Sequence, residues 1–421
     1  CLGAIQFSKV VRQSFISEQR DRRSMTNKDL KRATRNDRWV SLLSRPLELS
    51  FLQLMSAFGP VVRIPFIGIL VSDGSILRSV LMDTQNFSKT APGGTSDLWD
   101  PILRGPGLLN MSGIDHLELK RKLTPLFNGK VLDEMVGDTI RRSAIELSEK
   151  LSSGVKVDVV SHIELMAARV VCTLSGYDIA VTDEEELLVQ LDRARGLLRF
   201  VKLTRKQLRP HEVKIAISEL ESIHQRISEA FERNHESTIP YLLKQHGFSK
   251  AEVTSIITAL IIAGTETVIS HLPRFVQLLV TGQVIESSGV ENLNLEELIQ
   301  EGLRITVPTP VMLRGVTAPT KIAKISVKPG DRILLATTLA CRRAGGFDPR
   351  HPMPKELRNI WFGAGVHLCI GMPLAQLEIL EVTKELLNRF GGKEIRIVES
   401  KIRKGTLTAG YSKLVVQCQH F

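Results

Sequence analysis

Apolar residues recur from Val253 through Ile256, Ile257, Leu260 and Ile261 to Gly264, Val268 and Leu272, the spacing of one helical face. Just ahead of them, Ser249 and Glu252 form the S-x-x-E capping box, which gives the first unpaired amides of a helix their partners. The pattern predicts a helix over Ser249–Ser270, roughly 33 Å long. Its middle, Ala263-Gly264-Thr265-Glu266-Thr267, sets an acid and small or polar residues inside an oily helix. Burying such groups is costly unless they serve something.

Other stretches carry weaker signals of the same kind. The run Arg63–Val71, with its Pro and Gly breaks, predicts a short hairpin. Residues 90–109 hold four Gly and three Pro and predict a long irregular loop, a feature that usually carries function. Amphipathic helical patterns fill 113–151. The stretch 185–209 is helical in propensity, and its Arg193, Arg195, Arg199, Lys202, Arg205, Lys206 and Arg209 read as a solvated face. A helix near Leu295–Ile305 carries Glu301 and Arg304 at i,i+3 and stops before Pro308. Residues 322–336 read as two strands paired about a Pro329-Gly330 turn. The last helix opens at Pro373 and ends at Gly391-Gly392. Helices far outnumber strands, so the pattern predicts a mainly α fold with small β-sheets. No repeat or composition shift divides it, which suggests one domain over 39–421 behind a charged leader, 1–38.

Composition narrows the function classes. With 421 residues, 43% apolar and 24% charged, the chain has the balance of an ordinary globular protein and not of a disordered one. The net charge is +11, but aromatic residues are only 5%, so the basic excess lacks the stacking rings of single-stranded nucleic-acid binders. No nucleic-acid partner is expected. No run of 18 apolar residues occurs, so no membrane span is expected either. The five cysteines, Cys1, Cys172, Cys341, Cys369 and Cys418, are scattered and include no CxxC pair. That argues against a disulfide framework or structural zinc and for a reducing, cytoplasmic location. The leader is rich in Arg, Lys and Ser, while Glu18 and Asp21 speak against a transit peptide.

The chemistry concentrates in Trp361-Phe362-Gly363-Ala364-Gly365-Val366-His367-Leu368-Cys369-Ile370-Gly371. Three glycines surround a cysteine placed just ahead of a helix N-terminus. Glycines admit positive φ and let a flat ligand approach the backbone. Free amides and the helix dipole favour a thiolate. Such a thiolate is either a nucleophile or a metal ligand.

Phe362-x-x-Gly365-x-x-x-Cys369-x-Gly371 resembles the haem-binding loop of the cytochromes P-450, the haem-thiolate monooxygenases. Two further motifs stand upstream in the family's order. Ala263-Gly264-Thr265-Glu266-Thr267 resembles the oxygen-binding turn of its long central helix, and Glu301-Gly302-Leu303-Arg304 its Glu-x-x-Arg pair. The resemblance covers the chain from about residue 40 and is to the soluble bacterial type. It implies a single triangular fold with haem b between the central helix and the cysteine loop. Cys369 is then the axial ligand of the iron. Gly264, Phe362, Gly365 and Gly371 flank the ring, and His116, His367 and Arg314 meet its propionates. Lys120 stands where the family usually has an arginine, giving the charge without the bidentate fork. Glu266 and Thr267 match the acid–alcohol pair that supplies protons for dioxygen activation, and Glu301 with Arg304 the structural pair behind the loop. The family's meander is short here, and Arg342, Arg343 and Arg350 are the candidates to complete the Glu–Arg network.

The implied activity inserts one oxygen atom of dioxygen into an apolar organic substrate. Its electrons come from a ferredoxin or a flavoprotein reductase, docked on a face to which Arg342, Arg343, Arg350, Lys355 and Arg358 contribute. The pocket implied is lined by the 90–109 loop and the 185–205 helices. Ala259, Ile262 and Ala263 add to it, as does Val307 to Met312 with Thr309 and Val311, and the Ala409-Gly410 turn closes it. The same fold also serves oxidative coupling, rearrangement or dehydration. The intact Glu266–Thr267 pair argues against these, because a non-oxygenating enzyme needs no proton delivery to dioxygen.

Overall fold

The central helix runs beyond its amphipathic pattern: Lys250–Thr281, 32 residues, about 48 Å at 1.5 Å per residue. The computed structural model describes residues 25–103, 105–177, 182–200, 205, 207–233, 236, 238–287, 293–351, 353–406 and 408–419. The capping box forms as expected, with Ser249 and Glu252 exchanging hydrogen bonds. From Val268 to Thr281 every residue is buried, so the helix is covered all round there and its periodicity fades. It is the one helix among the described residues long and apolar enough to cross a bilayer, and most of that stretch lies inside the fold. Around it pack the helices Asn27–Ser44, Val159–Leu174, Pro210–Arg233 and Leu295–Thr306.

The hairpin of 63–71 forms as β1 (Val61–Ile64) and β2 (Gly68–Val71). The hairpin expected about Pro329-Gly330 does not. Ile325–Val327 pairs backward with Thr320–Ile322 around Ala323, whereas Arg332–Leu335 enters a five-stranded sheet. There it lies between β2, in parallel, and Met312–Val316, antiparallel. Turn chemistry set the reversal, but two apolar neighbours on a buried strand outweighed the local partner. A three-stranded sheet holds Val157–Asp158, Tyr411–Cys418 and Ile395–Ile402.

Three further expectations change. The 90–109 segment contains a helix, Ser96–Leu103, which buries Leu98, Trp99, Ile102 and Leu103 despite Pro101. Residues 1–24 of the expected leader lie outside the described residues, but 27–38 belong to the fold. Thr26 caps their helix, and Asp37, fully buried, pairs with Arg274 at 2.7 Å and Arg342 at 2.7 Å. The 185–209 stretch is not simply a solvated face: Arg195 is buried against Glu164 and Glu266, and Arg205 chelates Glu212. Lys202 and Lys206 lie outside the described residues.

Candidate active site

One cavity of about 430 Å³ gathers most of the sequence-predicted site. Its floor is the cysteine loop, which opens into the helix Met372–Phe390 with Pro373 in its first turn. Gly363 and Gly365 take φ of 85° and 62°, backbone that favours glycine. The Cys369 amide donates to Phe362 O at 2.8 Å and closes the loop. Cys369 is accessible, but it lines the cavity and is enclosed by protein. Burial pushes its thiol up, while the amides of Gly371 and Met372 and the charges of Lys89 and Lys120 pull it back. Phe362, Gly371 and His367 line the same space, and Gly365 stands behind it against Met82.

Against the loop lies a cluster of bases. His116 and His367 approach at 3.2 Å, with ring centroids 4.2 Å apart. Lys120 donates to Val366 O at 2.7 Å and Leu368 O at 2.6 Å, and so braces the loop. Arg314 is buried and donates to its neighbour Leu313 O at 2.8 Å. Lys89, which sequence reading passed over, donates to Leu108 O at 2.7 Å and completes the group. Burial, then the mutual repulsion of these groups, lowers Lys89 to about 7, His116 to about 4 and His367 to about 2. Burial alone lowers Arg314 to about 10.

This arrangement fits a haem. These five bases, two buried and three half-buried, have no carboxylate among the groups that shift them, and the Cys369 thiol alone opposes their charge, so they lack the countercharge that two propionates bring. His116 Nδ1 and Trp361 Nε1 are buried without partners. A Cβ at Gly264, on the opposite wall, would meet nothing within 4 Å, so the glycine leaves room for a flat ring.

On that wall the central helix presents Ala259, Ile262, Ala263, Gly264, Glu266 and Thr267. Thr267 donates back to Ala263 O at 3.1 Å, a resting bond that a hydroxyl can exchange. Thr265 bonds Ile261 O at 2.9 Å and does not line the cavity. The Glu266 carboxylate is clamped. Arg195 Nε donates to it at 2.9 Å, Thr408 Oγ1 at 2.6 Å, and Arg403 through both Nη atoms. Thr309, Val311 and Arg314 complete the wall.

Comparison with known proteins agrees with this geometry. The family model for cytochrome P-450 matches residues 276–407. A mycinamicin IV hydroxylase/epoxidase of Micromonospora griseorubida is 24% identical over 367 residues, 85% of this chain and 88% of the relative. The cytochrome P-450 monooxygenase DoxA of Streptomyces sp. (strain C5) is 27% identical over 383 residues, 82% of this chain and 88% of the relative. Among solved structures, P450BioI in complex with an acyl carrier protein superposes with a TM-score of 0.75 at 20% identity, covering 90% of this chain and 100% of that one. Residues 276–407 thus carry the cytochrome P-450 family match, and the fold over 90% of the chain is that of a P-450 structure.

Its version of the P-450 fold departs from the sequence expectation in several places. Glu301 and Arg304 form a buried bidentate pair, at 2.7 Å and 2.6 Å, but no arginine among the described residues completes it. Arg304 instead donates to Cys341 O, Gly345 O and Gly346 O, while Glu301 accepts the Asp348 amide at 2.9 Å. Backbone from the short meander thus does the work of a side chain. Of the three candidates, Arg342 goes to Asp37, Arg343 to Ser56 O and Arg350 to Asp348. Val307 stands outside the cavity lining: it caps the helix Leu295–Thr306 with its amide on Leu303 O. None of the described residues of 185–205 lines the cavity, whereas Leu98, Trp99 and Leu108 of the 90–109 segment do. Beyond Lys89, the sequence reading also missed Glu378, a buried acid on the lining that burial raises to about 8. A lone Lys after Ser88, or a Glu on an amphipathic helix, carries no local signal of either fate.

Proposed function

We propose that this protein is a haem-dependent monooxygenase that inserts one atom of dioxygen into an apolar organic substrate. One observation carries the reading: a single cavity joins the glycine-framed Cys369, a basic cluster lacking its anion, and the Glu266–Thr267 pair. Cys369 Sγ is the group to hold the iron, and Lys89, His116, Lys120, Arg314 and His367 are the groups to meet the propionates. When bound, the haem supplies the redox centre at which dioxygen is activated. Thr267 is placed to hold a proton and an ordered water at the cavity wall, and Glu266 to reconnect them to solvent. The names of the relatives, a hydroxylase/epoxidase and a monooxygenase, support oxygen insertion. The lining around Leu98, Trp99, Ile256, Leu260 and Val311 is apolar and suits a hydrophobic substrate.

Residues from Asn27 onward serve as one catalytic unit. We assign the electrons to an acidic ferredoxin or a flavoprotein meeting the exposed Arg343, Arg350, Lys355 and Arg358, an encounter that salt would slow. Arg342 drops out of that face because it is buried on Asp37. A cytoplasmic location is supported by the four described cysteines, all free. The test is spectral. Reduced protein with carbon monoxide should show the red-shifted Soret band of thiolate ligation, and Cys369→Ser should abolish it. A band that survives in Cys369→Ser would refute the ligand assignment. Protein that takes up no haem would refute the function.

A further inference from the structure

We propose that Arg403 and Thr408, in the turn between the last two strands, are positioning residues that set the Glu266 carboxylate for proton delivery. The inference rests on Glu266 serving the relay as read above. Three donors from two elements meet this one carboxylate, and they are not equivalent. Arg195 has a second, half-buried carboxylate, Glu164 at 2.6 Å, and stays paired if Glu266 turns away. Arg403 has Glu266 as its sole carboxylate partner among the described residues, and its Nε is buried with no acceptor. A largely buried guanidinium left without its anion is costly. Hence Glu266 parts from Arg195 and remains with Arg403.

Thr408 adds direction. Its hydroxyl bonds Glu266 Oε1 at 2.6 Å, and its side chain lines the cavity that takes substrate. The turn does not depend on these bonds for its place. Ser270 Oγ donates to Ala409 O at 2.5 Å, Arg274 to the same oxygen at 3.5 Å, and the Arg403 amide to Gly410 O at 3.0 Å. A fixed turn therefore holds a carboxylate that belongs to another element, across 137 and 142 residues of chain. Substrates that press on Thr408 will alter proton delivery without touching Glu266.

The test uses haem-loaded protein with saturating substrate and an excess of reductant. Thr408→Val removes the donor at constant shape, Thr408→Ser restores it, and Arg403→Gln removes the charge. Misdirected protons let dioxygen leave as hydrogen peroxide after taking two electrons and two protons. Peroxide formed per reductant should rise about fivefold to tenfold in Thr408→Val and Arg403→Gln and return in Thr408→Ser. The solvent isotope effect on reductant use should grow in the same two variants. Haem content and the ligand-induced Soret shift should stay as in the parent, and so should melting temperature in Thr408→Val and Thr408→Ser. Adding Thr408→Val to Glu266→Gln should change nothing more. If Glu266→Gln alone leaves coupling and isotope effect untouched, the relay reading fails. If Glu266→Gln alters them but Thr408→Val and Arg403→Gln do not, the positioning proposal fails by itself. Uncoupling that follows a fall in melting temperature, unrescued by Thr408→Ser, would make the turn merely structural and also overturn it.

Discussion

At one end of the cavity Lys89, His116, Lys120, Arg314 and His367 crowd together with no carboxylate among the groups that shift them. At the other end Glu164 and Glu266 face Arg195 and Arg403, two acids against two bases. Both clusters are at least partly withdrawn from water, yet in the first the bases are driven toward neutrality, whereas in the second burial is outweighed by Glu266 and Glu164, which hold Arg195 above its usual value. The difference is countercharge. A buried like-charge cluster is tolerable only when something outside the chain completes it, whereas a balanced one is already complete. The first end is suited to an anionic group, and under the proposed relay the second would hold and pass a proton.

Removing one cation from each end should therefore act in opposite directions. Arg195→Met strands Glu164 and weakens the hold on Glu266, and breaking such a buried pair costs about 3 kcal/mol. Denaturant unfolding measures it, and a loss within experimental scatter would mean that water already screens the pair. Arg314→Met relieves repulsion, so haem-free protein should unfold no more easily than the parent. Its haem should leave roughly tenfold to a hundredfold faster to a competing globin, because a charge-assisted bond is lost. If Arg314→Met instead destabilises the haem-free protein, the two ends are alike and the contrast is wrong.

A subtler change keeps every charge in place. Thr267→Ala should retain haem, substrate binding and reductant consumption but divert electrons to hydrogen peroxide. Product and peroxide per reductant, at matched saturation, decide it. Full coupling in Thr267→Ala would take the relay away from this hydroxyl.

A third buried base calibrates the comparison. His271 is fully buried away from the cavity, its Nδ1 beside Thr306 Oγ1 at 2.6 Å and its Nε2 without a partner. Burial, then Arg274, lowers it to about 3 from 6.5. Because the folded value lies below the unfolded one, the unfolded chain binds the extra proton, and stability is lost as pH falls from 6.5 towards 3. The loss amounts to about 1.4 kcal/mol per pH unit for one such group. His271→Gln should flatten the acid limb of melting temperature against pH by that amount. An unchanged slope would show that the imidazole is protonated in the folded protein.

What the sequence alone determined is whatever lies within a few residues of itself. The capping box at Ser249 and Glu252, the Glu301–Arg304 pair and the glycine-framed Cys369 depend on spacings of three to four residues and on local turn chemistry. All of them formed. Tertiary structure decided the rest. It broke the hairpin expected at Pro329-Gly330 because Arg332–Leu335 found buried neighbours on both sides. It replaced the expected arginine of the Glu–Arg network with meander backbone. It buried Lys89 beside Arg314, and it brought Arg195 and Arg403 to Glu266 from 71 and 137 residues away. Ion pairs and strand pairs of that range leave no mark in a local pattern. Their energy depends on burial and on which countercharge arrives, and both exist only once the chain has closed around the site.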